Sequence, residues 1–549
     1  MSNPSFPSSN NVHCHTAQDY WKNTPNPNGI YLNIAQMLLC HPHGMHKTAV
    51  ASLDGDLSYE TLFIETCRTA SALEQRGILP GERVLIALDD DHMQLCTALG
   101  CWAMGAIPVF INPQTPADSF SHILSDLSPS LCVVREDNEA DARALLGDTQ
   151  TATSLLSVPS LAFLVAEKDW RLQTGDSEWR NFHLSSPDRI QCIQYSSGTT
   201  GTPKGVTYSA HGLLTLVRVM MIDFFGFQSE DVIYAMPRTF FSFGLVHNLF
   251  NPLCINATTI RDSQWPTPER ILQNIQRYRP NILQGVPAHY QNLLDNADQF
   301  PAYIPRMVVS GGAPLSSTLV KRWHDTFGTF LYNAIGSAET PGVIATTYPH
   351  NPLECTGPGY RVPFTEVRFL DENEQPVMPG TPGHAWVHNS FLSMGYWNNP
   401  TLTAQRFRHD DSGKCWFATG DIFTEEEQGS LRFEGRIDDC FKIKGRWVMP
   451  IEIEEAVLKH VPAIKSCLLI EGPMESGLLG TVLFIEAHSS SVSFDHEVHR
   501  ALASLESYKH PTCCHVMSRL PTNANGKPDR NILRQQVPSI LAQHTAQFH

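Results

Sequence analysis

The chain has 549 residues, with Lys+Arg 39 against Asp+Glu 55 and a formal charge of −16. Hydrophobic residues make up 42% and charged residues 17%, enough apolar material for a large core, too little charge for a disordered chain, and a length that calls for more than one domain. The acidic balance speaks against non-specific nucleic-acid or membrane binding, the N-terminus has no secretory pattern, and fourteen cysteines without a Cys-x-x-Cys pair fit reduced thiols in the cytoplasm.

In chain order, Tyr59 to Gln75 has helical periodicity closed by Gly77, and Val84 to Leu88 reads as a buried strand. Met93 to Met104 is helical, with strands at Ile107 to Ile111 and Leu131 to Val134. The longest charge-free apolar run, Leu95 to Ile111, is broken by Gly100, Gly105 and Pro108, so it reads as a buried helix, turn and strand and not as a membrane span. Ile190 to Tyr195 is a strand ahead of a Gly-rich loop. Ile271 to Tyr278 and Leu315 to Phe327 are helical, and Ile282 to Gln284, Met307 to Val309 and Phe330 to Tyr332 are strands. This alternation predicts an α/β protein with two doubly wound layers. From about 355 to 435 short strands and Gly/Pro turns predict a small β-rich subdomain, and a helix from near Pro450 opens an α+β C-terminal region.

The segment QCIQYSSGTTGTPKGVTYSAHG, residues 191 to 212, carries the strongest chemical signal. Ser196, Ser197, Thr199, Thr200 and Thr202 supply hydroxyl donors, Gly198, Gly201 and Gly205 let backbone N–H groups turn toward an anion, and Lys204 adds charge. Such a loop is suited to phosphate, although its spacing is not that of the nucleotide-triphosphate loop G-x-x-x-x-G-K-[ST].

SSGTTGTPKGV resembles the phosphate-loop signature of the adenylate-forming superfamily, which comprises acyl-CoA synthetases, peptide-synthetase adenylation domains and luciferases. NAIGSAET (333–340), WFATGD (416–421), GRIDDCFKIKGRWVMPIEIEEAV (435–457) and LPTNANGKPDR (520–530) match further motifs in the correct order and span most of the chain. The resemblance implies an N-terminal ATP- and acid-binding domain, 1–437, and a smaller mobile cap, 438–549, that pivots at Asp438. It places Lys527 between the substrate carboxylate and the phosphate, where charge builds up at a five-coordinate phosphorus. Glu339 offers the hard oxygen ligand that suits Mg²⁺. Asp421, with Arg436 in support, is implied to hold the ribose hydroxyls, and Gly311, Gly312, Ala313 and Pro314 with Asn333, Ala334, Ile335 and Gly336 resemble the adenine-binding walls. In a second cap orientation, Lys444, Gly445 and Arg446 are implied to face a thiol.

PRTFFSFGLVHNLFNPL (237–253), GVP (285–287) and MGYWNNP (394–400) resemble the benzoate-CoA ligase subgroup, which puts Phe243 against the acyl or aryl group with Ser242, Val246 and Gly342 nearby. Two positions depart from the pattern. Ala338 stands where a threonine hydroxyl usually contacts the AMP phosphate, a loss on the order of 1.5–3 kcal/mol unless Ser337 or Thr340 compensates, and His384 stands where an acid usually follows Gly383. A Cys40, His41, His43 and His46 cluster matches no standard zinc spacing.

The implied function is ATP-dependent activation of a carboxylic acid, aryl or similarly small, with pyrophosphate release and transfer to a thiol, foremost coenzyme A. A rival reading keeps adenylation but loads the phosphopantetheine arm of an acyl carrier protein, and no carrier segment is read after residue 530. A second rival, prompted by Ala338, is a nucleotide-binding protein without turnover. A homodimer is compatible with each of these.

Overall fold

The computed structural model describes residues 12–23, 29–135, 162–165, 175–197, 202–355, 357–474, 477–487, 493–521 and 529–547. The chain divides into two compact units, one of Met1–Val367, Val387–Ala418 and Gly429–Leu431, the other of Arg368–Trp386, Thr419–Gln428 and Arg432–His549. Among the described residues no helix is long and apolar enough to cross a membrane. All fourteen cysteines are free thiols.

Beside a small parallel pair, Val12–Cys14 with Ile30–Leu32, the first unit is built on two large sheets. One runs in the order Pro203–Ser209, Ile190–Ser197, Ile107–Phe110, Arg83–Ala87, Leu131–Val134 and Ala162–Val165, parallel throughout except for the antiparallel pair at its start. The other places Tyr332–Gly336, Met307–Ser310, Ile282–Gly285, Val232–Ala235, Thr258–Ile260 and Thr48–Ala51 side by side and parallel, with Val343–Thr346 returning antiparallel on Tyr332–Gly336. Ile107–Phe110, Leu131–Val134 and Met307–Ser310 are buried at every position, as expected of strands covered on both faces.

Helix ends follow local capping chemistry. The Ser58, Asp91 and Ser316 side chains accept hydrogen bonds from the Thr61, Gln94 and Leu319 N–H groups, which have no partner within their helices, Tyr59–Gln75, His92–Met104 and Ser317–Phe327. The predicted helices and most strands appear within a few residues of their expected bounds. The last predicted strand differs: it runs Tyr332–Gly336, because Leu331 turns fully into the core and pairing begins where Tyr332 meets Val309. Two segments, Val217–Phe224 and Leu245–Phe250, adopt the wider π-helical turn, a geometry with no simple residue signature.

A buried polar network ties the two layers of this unit. Asp90, 3% exposed, accepts from Thr239 N at 3.1 Å and from Asn248 Nδ2 at 2.8 Å. Arg261, 1% exposed, lies 3.8 Å from Asp90 and donates to Gln94 Oε1 at 2.7 Å and to Thr239 Oγ1 at 3.2 Å. Gln194, on the strand that enters the Gly-rich loop, donates to Thr239 O at 2.8 Å.

In the second unit, Ile464–Pro473 pairs antiparallel with Leu479–Ala487, and Cys513–Met517 joins parallel. Strand alternation sends Leu469, Leu483 and Ile485 toward Ile453 and Val457 of helix Pro450–His460, while Leu468, Ile470, Val482 and Phe484 pack on Leu533, Val537 and Leu541 of the last helix, Arg530–Gln547. Arg530 donates to both Glu454 carboxylate oxygens and to Leu469 O.

Arg261→Met removes one partner of a buried pair and strands Asp90, so it should destabilise the fold by about 3–5 kcal/mol. Urea unfolding followed by tryptophan fluorescence checks this; a cost near zero would show that Asp90 needs no cation.

Candidate active site

The Gly-rich segment folds as a hairpin. Its first strand continues past Tyr195 to Ser197, and Ser196 pairs with Lys204 and Ser197 with Pro203, so these residues flank the loop and do not belong to it. Gly198, Thr199, Thr200 and Gly201 lie outside the described residues. Residues 393–397 run alongside the second strand: Trp397 N donates to Gly205 O at 2.7 Å, Met394 N to Thr207 O at 2.9 Å, and Thr207 N to Gly395 O at 3.1 Å. This placement puts the Tyr396 ring 6.0 Å from Lys204 Nζ. The Tyr396 hydroxyl donates to Glu339 Oε1 at 2.8 Å, so one phenol meets Lys204 with its ring and Glu339 with its hydroxyl. A cleft of about 390 Å³ opens beside them, lined by Thr202, Lys204, Tyr396, Asn398, Thr401 and Gln405 among others.

Gly311, Ala334 and Gly336 sit at the ends of neighbouring strands, where ligands of open α/β sheets lodge. A Cβ added at Gly311 would lie 3.3 Å from Ala334 O and 3.3 Å from the Phe243 ring, and one added at Gly336 would lie 2.3 Å from Gly342 O, which only glycine permits. Gly312, Ala313 and Pro314 are exposed, and Gly312 has φ +77°. Asn333 is held from both sides, its N–H donating to Thr347 Oγ1 at 2.9 Å and its Nδ2 to Gly357 O at 3.1 Å. Ile335 follows on the same strand, half-buried. The turn after this strand satisfies itself: Ser337 Oγ and Thr340 Oγ1 lie 3.1 Å apart and each accepts the other residue's N–H, while Tyr208 donates to Ala338 O at 2.9 Å. Both hydroxyls that stand near Ala338 are thus engaged in holding the turn.

Of the expected acyl-pocket residues, Phe243 lies against Gly311, whereas Val246 packs in one apolar cluster with Leu216, Met220, Ala334, Val343 and Phe391. Gly342 joins that cluster, since a Cβ there would meet Leu216 at 2.6 Å and Phe391 at 2.7 Å. Ser242, half-buried, opens the single turn Ser242–Gly244. Gly244 is required in it, because a Cβ would fall 1.9 Å from Arg238 O.

In the second unit Arg436 Nη1 donates to Asp421 Oδ1 at 3.0 Å; Asp421 is 6% exposed and its N–H donates to Thr419 Oγ1 at 3.0 Å. The exposed Asp438 lies in a turn in which Asp439 and Cys440 N–H groups donate to Arg436 O. Lys444, φ +50°, and Gly445, φ +79°, form the two-residue turn between Phe441–Ile443 and Arg446–Val448, an exposed tip with both central residues left-handed. Arg446 stacks over Tyr508 at 5.3 Å. His384 lies on strand Gly383–His388. Lys527 lies outside the described residues.

Sequence reasoning missed Tyr396, Gln194 and Asp90. Tyr396 stood in the quoted MGYWNNP string and Gln194 in the quoted 191–212 segment, whereas nothing in the residue pattern marks Asp90. The Cys40 to His46 cluster does not converge: His41 Nε2 bonds to the Leu38 and Leu253 carbonyls and His46 to Glu60. Among the described residues no group of three metal-ligating side chains exists. Glu339 nonetheless fits Mg²⁺, which takes one or two carboxylates and completes its shell with substrate phosphates and water.

The profile of the AMP-binding enzyme family matches residues 40–397. Anthranilate–CoA ligase of Pseudomonas aeruginosa is 32% identical over 492 residues, 88% of this chain and 93% of that protein. The 3-hydroxybenzoate–CoA/4-hydroxybenzoate–CoA ligase of Thauera aromatica is 29% identical over 506 residues, 90% and 95% of the two chains. In fold, a benzoate CoA ligase from Burkholderia xenovorans LB400 superimposes with TM-score 0.79 at 23% identity, covering 91% of this chain and 99% of that one.

Tyr396→Phe removes the hydroxyl that orients Glu339. A Mg²⁺ titration of ATP-dependent pyrophosphate release should show the half-saturating Mg²⁺ concentration raised about 10–100-fold. An unchanged titration would separate Glu339 from the metal.

Proposed function

The chain belongs to the AMP-binding enzyme family and is an AMP-forming acid–thiol ligase; we propose that the acid it joins to coenzyme A is a benzoate-like aromatic one. In the first half-reaction a carboxylate oxygen attacks the α-phosphorus of ATP, and pyrophosphate leaves with the electron pair of the broken P–O bond. In the second, the coenzyme A thiolate attacks the acyl carbon, and AMP leaves with the oxygen the carboxylate brought.

The first step drives two anions together, so its residues are those that neutralise and orient. Lys204 and the donors of its hairpin hold the phosphates, and Lys527 meets the carboxylate at the phosphorus. Glu339 would hold Mg²⁺, which neutralises phosphate charge when bound. The Asp421 carboxylate, kept in place by Arg436, accepts from the ribose hydroxyls. Gly311 to Pro314 and Asn333 to Gly336 wall the adenine. Residues 438–549 act as a cap pivoting at Asp438, and its second orientation brings Lys444, Gly445 and Arg446 to the thiol; the exposed turn at Asp438 and the exposed hairpin tip support this.

One observation carries the aromatic reading: the Phe243 ring packs directly on Gly311, whose missing side chain leaves it beside Ala334 of the adenine wall. A flat ring stacked there stands next to the nucleotide. The named CoA-ligase relatives speak for coenzyme A over a carrier-bound arm and for turnover over mere ATP binding. ATP and coenzyme A are both abundant inside cells, which supports a cytoplasmic setting.

Pyrophosphate release with Mg-ATP, measured across aryl, aliphatic and amino acids with and without coenzyme A, tests the proposal. Release with a benzoate-like acid together with its coenzyme A thioester is expected. Release confined to aliphatic or amino acids would overturn the aromatic reading, and release without thioester would overturn the acceptor.

A further inference from the structure

On the acyl-pocket segment, one turn beyond Phe243, stands His247. The two rings meet edge to face with centroids 4.8 Å apart. His247 is 6% exposed, and its Nδ1 lies 2.7 Å from Gln284 Nε2 at the end of strand Ile282–Gly285. In this amide orientation Gln284 Nε2 donates to Nδ1, and the proton of the neutral ring then sits on Nε2. Burial pushes the imidazole down to about 3, which keeps the ring neutral at physiological pH and preserves this tautomer. Among the described residues nothing accepts from His247 Nε2, and Gln284 Oε1 is buried without a partner.

A histidine held in one tautomer by a buried amide, next to the aromatic that lines the acyl pocket, is a directed donor. Asn248 and Asn251 follow on the same buried segment; Asn248 is engaged with Asp90 and Thr259, and no hydrogen bond joins Asn251 to His247. A bare aryl C–H edge leaves this donor unmade, whereas a phenolic hydroxyl oxygen accepts from it. An aromatic amine meets the donor poorly, because its lone pair is drawn into the ring.

Resting on the aromatic reading above, we propose that His247 selects acids whose ring bears a hydroxyl group, donating from Nε2 to the hydroxyl oxygen, with Gln284 as the positioning residue that fixes the tautomer. A site built to hydrogen-bond a hydroxyl rejects the analogue lacking it far more strongly than an apolar pocket separates two shapes.

The test is kcat/KM for pyrophosphate release with the three monohydroxybenzoates, the three aminobenzoates and benzoate. The ratio of the best hydroxybenzoate to benzoate is taken within each protein, so that any general loss of turnover cancels. The wild type should favour one hydroxy isomer over benzoate by on the order of a hundredfold. In His247→Leu the ratio should collapse toward one, in Gln284→Leu it should fall partway, and in His247→Gln, which retains an N–H donor and keeps the test open should the leucine variant not fold, part of the preference should survive. A wild type that favours benzoate or an aminobenzoate, or a ratio that survives His247→Leu, overturns the proposal while leaving the aromatic reading intact. No release with any aryl acid overturns the aromatic reading itself.

Discussion

The Asp90 carboxylate, sealed from water between the two layers of the first unit, is the point on which the geometry of that unit turns. Its Thr239 and Asn248 donors both lie on the segment 237–253, and Thr239 O receives Gln194 from the strand leading into the Gly-rich hairpin. A buried anion is costly unless charge and hydrogen bonds meet it, and Arg261 supplies the charge while Gln94 and Thr239 accept from its two terminal nitrogens. The pairing sets residues 237–253 against the strand Ile190–Ser197 with little freedom to slide. A reaction that brings a carboxylate to a phosphorus needs that registry, since small displacements of either reactant cost large factors in rate.

The rest of the first unit's site follows from placing charge and removing bulk. Tyr396 touches both charged groups, its ring facing Lys204 and its hydroxyl holding the Glu339 carboxylate in one orientation. Gly336 makes room where the Gly342 carbonyl comes too close for any side chain, and Gly311 leaves a tight fit for Phe243. In the second unit the ion pair of Asp421 and Arg436 and the left-handed tip at Lys444 and Gly445 are each formed locally. Both are present within that unit taken by itself.

Much of this was legible in the sequence because the signals are local. The helices Tyr59–Gln75 and Ser317–Phe327 announce themselves by period, and the Gly/Ser/Thr run before Lys204 by its anion chemistry. The long-range contacts were not legible. Asp90 and Gln194 look like ordinary polar residues until the fold brings Thr239 to them, and the π-turn at Leu245–Phe250 leaves no residue pattern. His247 read as one of twenty-four histidines until Gln284 gave it a fixed tautomer. The turn at Ala338 shows the opposite lesson: the missing hydroxyl is visible in the sequence, but only the structure shows that Ser337 and Thr340 are bonded to each other.

The account stands or falls on the acyl-adenylate. Supplying a turned-over aryl acid with heavy-oxygen label in its carboxylate, together with ATP and coenzyme A, and weighing the AMP by mass spectrometry tests this directly. The account predicts one labelled oxygen in each AMP formed. Unlabelled AMP, or label in inorganic phosphate released alongside ADP, would contradict it.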